Sequence, residues 1–274
     1  MTRPETPQNT YTHGHHESVL RSHRWRTVEN SAAYLLPHLS AGQSVLDVGC
    51  GPGTITADIA VRVAPGEVTA VEITDEALQL ARDEVAARGI DNVRFAVADV
   101  HALDFPDDSF DVVHAHQVLQ HVADPVLALK EMRRVCKPGG VVGVRDSDYG
   151  GFRWFPESPV WEEWLRNYQS LATSNGGHPD AGRRLLSWAL RAGFEAQDIT
   201  ASASSWVFAT DADRRWWAGM WADRTTVSTA SRQYVDKGIA SPGELEAIAA
   251  GLRQWATSPD GWFNVGHGEI VCVA

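Results

Sequence analysis

The sequence predicts a doubly wound α/β fold on a mostly parallel sheet, and three features of the chain point to it. From Ser44 onward, short β-branched runs alternate with longer amphipathic stretches, which is the pattern of successive βαβ units. A glycine-rich turn, Gly49-Cys50-Gly51-Pro52-Gly53, lies between the first such run and the first helix-like stretch. Hydrophobic residues make up 43% of the 274 positions and charged residues 22%, enough apolar material for a large core without disulfide or metal staples.

The elements follow in order. The opening residues, with Pro4 and Pro7, read as loosely attached. Val19, Leu20, Trp25, Val28, Ala32, Leu35 and Leu36 fall at helical spacing and predict a leading helix over 18–36 that Pro37 ends or kinks; residues 1–40 are expected to form a helical lid. Strands are expected at 44–48, 68–73, 93–98, 110–116 and 141–145, with helices at 54–63, 75–88 and 125–136 between them. Thr74 is placed to cap the second of these helices and Gly89 to end it. Right-handed crossovers then put the C-terminal ends of all these strands on one edge of the sheet, where ligands bind in such folds.

Beyond Gly150 the composition shifts, because ten of the 11 tryptophans lie there. A helix over 183–192 ended by Gly193, a strand region over 194–208, helices across 212–251 and a final strand at 269–273 are expected. The domain reading is therefore a core of 41–210 plus 261–274, with 211–260 as a helical insertion that caps an acceptor pocket.

Charge and cysteines narrow the function. There are 24 Lys and Arg against 35 Asp and Glu, a formal net charge of −11, which leaves no positive surplus for a phosphate backbone, so no nucleic-acid partner is expected. Cys50, Cys136 and Cys272 are too few for a disulfide framework and suit a reduced compartment, which predicts a cytoplasmic protein. No apolar run reaches spanning length, so no membrane association is expected. Tyr11, His13, His15 and His16 form an N-terminal cluster, but Glu17 is their one acidic neighbour and no metal site is expected.

The chemistry starts at Val45-Leu46-Asp47-Val48-Gly49-Cys50-Gly51-Pro52-Gly53-Thr54, a D-x-G-x-G-x-G turn between strand and helix. Glycines there let a ligand approach main-chain atoms that a Cβ would block. Glu72, ending the second strand, can accept both hydroxyls of a ribose lying over that turn. Asp99, after the third strand, can accept from an adenine amino group while the amide of Val100 donates to a ring nitrogen. Together these residues fit an adenosine-containing cofactor. The dinucleotide fingerprint fails, since its third glycine position is Thr54 or Thr56, and the phosphate-loop pattern is absent. Asp47 suits a cationic ligand better than a pyrophosphate.

Over 43–147 the chain resembles the class I S-adenosylmethionine (SAM)-dependent methyltransferases, and among them the ubiquinone/menaquinone-biosynthesis-like domains. The resemblance rests on VLDVGCGPGTIT, VEIT, FAVADVHALDFPDDSFDVV, HAHQVLQHVADP and RVCKPGG in that order. It implies a Rossmann-like, seven-stranded sheet with an antiparallel last strand, and SAM as cofactor. Carried over by position, Asp47, Gly49, Cys50, Gly51 and Gly53 form the methionine-side loop. Glu72 with Ile73 takes the ribose, Asp99 with Val100 takes adenine, and His116 and Gln117 lie near the sulfonium.

Methyl transfer needs positioning above all, with a base only for an acceptor that loses a proton. His116, nearer the ligand edge than His114, is the candidate contact to cofactor or acceptor, and Tyr149 just beyond the fifth strand is a second catalytic candidate. His121 reads as structural, and Arg21 or Arg26 as a partner for the methionine carboxylate. The later tryptophans could line an aromatic acceptor pocket or build core. The acceptor is expected to be a small molecule methylated on oxygen, nitrogen or carbon, in keeping with a secondary metabolite. A quinone-precursor C-methyltransferase, a non-catalytic SAM-binding protein and a dinucleotide oxidoreductase stand as alternatives. Oligomeric state is open.

Overall fold

The computed structural model describes residues 22–274. Five strands follow the expected rhythm: β1 (Val45–Val48), β2 (Val68–Glu72), β3 (Val93–Val97), β4 (Phe110–His116) and β5 (Cys136–Ser147). The last three are β6 (Arg153–Phe155), β7 (Ile199–Phe208) and β8 (Trp262–Val273). The order across the sheet is β3-β2-β1-β4-β5-β8, and all neighbours from β3 to β5 are parallel. β8 runs antiparallel to β5 on one side and to β7 on the other. Phe263 pairs with both Trp154 of β6 and Phe208 of β7, so β6 continues the edge that β5 occupies. The result is the doubly wound, mostly parallel sheet with an antiparallel final strand, extended by a short eighth strand.

Local chemistry explains the helices. α1 (Val28–Ser31) starts at a capping box in which Thr27 and Asn30 satisfy each other's backbone amides. α2 (Thr54–Val63) begins directly on the glycine turn, and α3 (Asp75–Ala87) is capped by Thr74 with Asp75 and Glu76 in its first turn. α4 (Pro125–Val135) has Asp124 as cap and proline at its first position. α5 (Pro159–Ser174) and α6 (Leu185–Ala192) follow β6, and Gly193 ends α6 in a left-handed conformation. α7 (Asp211–Val227), α8 (Thr229–Asp236) and α9 (Pro242–Trp255) lie between β7 and β8.

Three sequence expectations need correction. The leading segment is not one helix through 36: the capping box at Thr27 starts a new helix, and a 3-10 segment, Ala33–His38, holds Pro37 inside it. β5 begins five residues earlier than 141 because Gly139 donates to Ala274 and Ala274 donates to Gly140, drawing the Lys137-Pro138-Gly139-Gly140 turn into the sheet. The final strand is 12 residues long, not five, since its first half pairs with β6 and β7.

Two cores flank the site. One packs Leu46, Val113, Leu129, Met132 and Val144 under α4 and α6. The other is aromatic: Trp161, Trp164, Trp217, Trp221, Trp255 and Phe263 pack on one another, with Trp161 and Trp164 perpendicular at 5.2 Å and Phe208 and Trp217 stacked at 4.4 Å. Trp161 is wholly buried at its centre. Trp161→Ala is therefore expected to destabilise the fold by about 3–5 kcal/mol, measured as a lower urea midpoint with an unchanged slope.

Candidate active site

One cavity of about 680 Å³ opens at the C-terminal edge of β1 to β4. Its wall includes Asp47, Gly49, Cys50, Gly51, Glu72, Ile73, Asp99, Val100, His116 and Gln117, so ten of the eleven expected cofactor residues meet there. Gly53, the eleventh, shapes the wall from behind. It caps α2 at φ +80°, and a Cβ there would stand 2.8 Å from Ala81 Cα, which fixes α2 against α3. Gly51, at φ +55°, instead leaves open space where a Cβ would project.

The acids are oriented by named partners. Asp47, 2% exposed, takes the Nδ1–H of His114 at 2.8 Å and the hydroxyl of Thr56 at 2.6 Å. Glu72 accepts from the amide of Gly51 at 3.0 Å and that of Ile73 at 3.1 Å, tying the glycine turn to the end of β2. Asp99 Oδ1 accepts from both the amide and the ring Nδ1 of His101, at 2.9 and 2.7 Å, while His101 Nε2 accepts from the amide of Asp124. His101 is thereby fixed as the Nδ1–H tautomer and turns the other oxygen of Asp99 away from itself. His101 and His114 were missed as partners; His101 two residues after Asp99 was a readable signal for a local side-chain turn.

The same cavity is also lined by His23, Arg26, His116, Gln117 and His121. His116 is buried, and neither ring nitrogen has a hydrogen-bond partner. Burial first, then the nearby Arg26 and Arg145, holds its pKa well below the usual histidine range, so it is a neutral imidazole. Burial likewise lowers His121 to about 3. Arg26 donates to Gln117 Oε1 at 2.6 Å and lies over the Trp206 ring. Arg21 and the Tyr11, His13, His15, His16 cluster fall outside the described residues.

Tyr149 is placed elsewhere. Its ring stacks on Tyr168 at 4.2 Å and Phe152 at 4.5 Å inside the aromatic core, and it does not line the cavity. None of the tryptophans lines it either. Residues of 211–260 reach the site indirectly, through Arg224 donating to Ser22 and Trp216 packing on Trp25. Among the described residues there is no cluster suited to a metal ion and no helix long and apolar enough to cross a membrane.

Behind the cavity Asp146 is 0% exposed and accepts from the amide of Gln120 at 3.1 Å. Burial pushes its carboxyl up to about 7. An acid with a raised pKa binds its proton in the folded state, so it subtracts stability as pH rises from about 4 to about 7 and nothing further above. Asp146→Asn is expected to gain on the wild type across that interval, by a few kcal/mol at most, in urea unfolding measured at pH 5, 6, 7 and 8.

The sequence profile of a methyltransferase-domain family matches residues 39–200. An uncharacterized methyltransferase of Schizosaccharomyces pombe is 34% identical over 99% of this chain and 98% of its own. A ubiquinone/menaquinone biosynthesis C-methyltransferase of Idiomarina loihiensis is 37% identical over 57% of this chain and 68% of its own. A solved structure of phosphoethanolamine N-methyltransferase 2 from Haemonchus contortus, in complex with phosphomonomethylethanolamine and S-adenosylhomocysteine, superposes with a TM-score of 0.56 at 20% identity. That match covers 88% of this chain and 51% of the other.

Proposed function

The chain belongs to the class I SAM-dependent methyltransferases, and from that premise we propose that it methylates an oxygen, nitrogen or carbon of a small-molecule acceptor held beside His116. The observation that carries this is the single cavity joining the glycine turn, Glu72 and Asp99 to His116 and Gln117.

The residues fit SAM in a specific way. Gly51 leaves room at the backbone, Asp99 has an oxygen not taken by His101, and Glu72 sits where a ribose would lie over the turn. In this reading Asp47, Gly49, Cys50, Gly51 and Gly53 shape the amino-acid end, Glu72 and Ile73 the ribose, and Asp99 and Val100 the adenine. When bound, SAM supplies a methyl group on a sulfonium, and its transfer is an in-line displacement.

What the chain adds is position and dryness. Gln117 and His116 close the end of β4, and the His116 imidazole can accept a hydrogen bond from an acceptor hydroxyl or amine. Its depressed proton affinity makes it a weak base, so orientation is its main contribution. The described part of the N-terminal segment, 22–40, acts as a lid and 211–260 as the cap that anchors it, through the Arg224–Ser22 and Trp216–Trp25 contacts. The similarity to a ubiquinone/menaquinone biosynthesis C-methyltransferase favours carbon as a second reading of the acceptor atom.

Calorimetric titration is expected to show SAM binding and no NADH binding, with Asp99→Ala and Glu72→Ala each weakening SAM by about tenfold or more. NADH binding without SAM binding would overturn the assignment. In a screen of small acceptors read by S-adenosylhomocysteine release, His116→Ala is expected to lower turnover roughly a hundredfold. Turnover should show no limb attributable to His116 between pH 6 and 8, because the imidazole is already neutral there.

A further inference from the structure

Among the described residues three strands of the sheet have one side unpaired, β3, β6 and β7. Two of them are guarded. β3 is five residues long and carries the exposed Arg94, and β6 is three residues long and begins with the exposed Arg153. Short strands and charged side chains are the usual means by which a sheet edge turns further strands away. β7 has neither. Its ten residues, ITASASSWVF, include no charge and no proline, and it pairs with β8 in one continuous register without a bulge.

Much of this strand is also bare. From Thr200 to Ser205 every residue except Ser204 is exposed. The Ser202 and Ser204 hydroxyls turn back to Glu269, whose charge is met by Arg145, so no unpaired charge stands at the edge. What β7 presents outward is the N–H and C=O groups of alternate residues, flanked by small side chains. Any strand could bond to those groups. The side-chain pattern is what selects a partner.

Ile199, Ala201, Ala203, Ser205 and Val207 share one face of β7 by the two-residue period. Their order is nearly palindromic about Ala203. Two copies set antiparallel about a two-fold axis at Ala203 place Ile199 against Val207, Ala201 against Ser205, and Ala203 against itself. On the other face Ser202 meets Ser204 and Thr200 meets Trp206. Apolar residues meet at the ends and small ones at the centre, and no like charges face each other, although each chain carries a net charge of −11. A closed two-fold pair also uses up both open edges, which head-to-tail addition would not.

We propose that β7 is the interface of a symmetric dimer, in which the β7 strands of two copies pair antiparallel about Ala203 and join their sheets into one. No residue of β7 lines the cavity, so pairing leaves the cavity of each copy accessible. The strand that pairs also carries Trp206, which donates to the carbonyl of Asn30 and lies under Arg26, so pairing steadies the support of the N-terminal segment.

The full chain is measured by sedimentation equilibrium over a series of concentrations, and twice the chain mass is expected. A single-chain mass throughout, or masses that climb beyond two chains, overturns the proposal. Ala203→Lys sets two ammonium groups across the axis and is expected to raise the dimer dissociation constant about tenfold or more, with the far-ultraviolet circular dichroism unchanged. Ala203→Glu is expected to do the same alone, and mixing the two variants is expected to restore the dimer. A dimer that withstands both substitutions, or a mixture that stays monomeric, overturns the pairing.

Ala203→Cys keeps the side chain small and provides a check that does not depend on a charged variant folding. The native cysteines are buried, so a short bis-maleimide is expected to link two copies through position 203. Ala201→Cys is expected to stay unlinked, because its counterpart lies four positions along the partner strand, roughly 13 Å away. Equal linking at both positions, or none at 203, overturns the two-fold at Ala203.

Discussion

A guanidinium buried in the middle of a sheet constrains much of this molecule. Arg145 is 1% exposed, and its charge is met by Glu269 at 3.1 Å, by the Ser204 hydroxyl at 3.0 Å and by the face of Trp206. A charge in that position is tolerable only when paired and hydrogen-bonded, and leaving one partner alone costs about 3–5 kcal/mol. Its partners come from β7 and β8, the strands that arrive last in the chain, so the ion pair ties the register of the late strands to that of β5. Arg145 stands opposite Glu269, and Glu269 opposite Ser202. A shift of one residue would turn Glu269 to the other face and strand the arginine.

The same face carries polar residues of the cavity wall. Asp47 and His114 are cross-strand neighbours, as are His116 and Arg145, and Ser147 and His267. A polar row thus crosses from β1 to β7 beneath the segment that holds Trp25 and Arg26, and Trp206 fixes that segment by donating to the carbonyl of Asn30. Gly143 belongs to the row by having no side chain, since a Cβ there would meet Leu35 at 2.6 Å and Tyr34 at 3.4 Å. The polar groups of the cavity wall and those inside the sheet form one continuous system here, and Gln117, bonded to Arg26, Ser147 and His267, is the joint between them.

Much of this was legible in the sequence. The first four strands, the caps at Thr74 and Gly193, and the meeting of Gly51, Glu72 and Asp99 followed from β-branched runs, capping residues and the rule that parallel strands end on one edge. These are local or topological signals. What sequence could not give was pairing between distant positions: Arg145 with Glu269, His114 with Asp47, or the retention of 137–140 in β5 by Ala274. α5 and β6 went unplaced, because a tryptophan-rich amphipathic stretch bounded by prolines gives period but not partners. Tyr149 stood at the right place in the chain, two residues beyond β5, but the 3-10 turn Tyr149–Gly151 carries its ring into the aromatic core.

That aromatic core has a consequence for how the protein can change. Trp161, Trp164, Trp217, Trp221, Trp255 and Phe263 hold the C-terminal half together without contributing to the cavity wall, and Trp206 is the member of their cluster that meets wall residues, His116 and Arg26. The packing of the C-terminal half is thus kept largely apart from the cavity wall, whereas Val48, Val71 and Val100 serve both the wall and the core beneath the sheet edge. Selection acting on the polar residues of the cavity lip can exchange them without touching the tryptophan packing that helps keep the fold above its stability threshold. A scaffold divided in this way is suited to drift from one acceptor to another, with the tryptophans as the fixed stock and the cavity lip as the variable one.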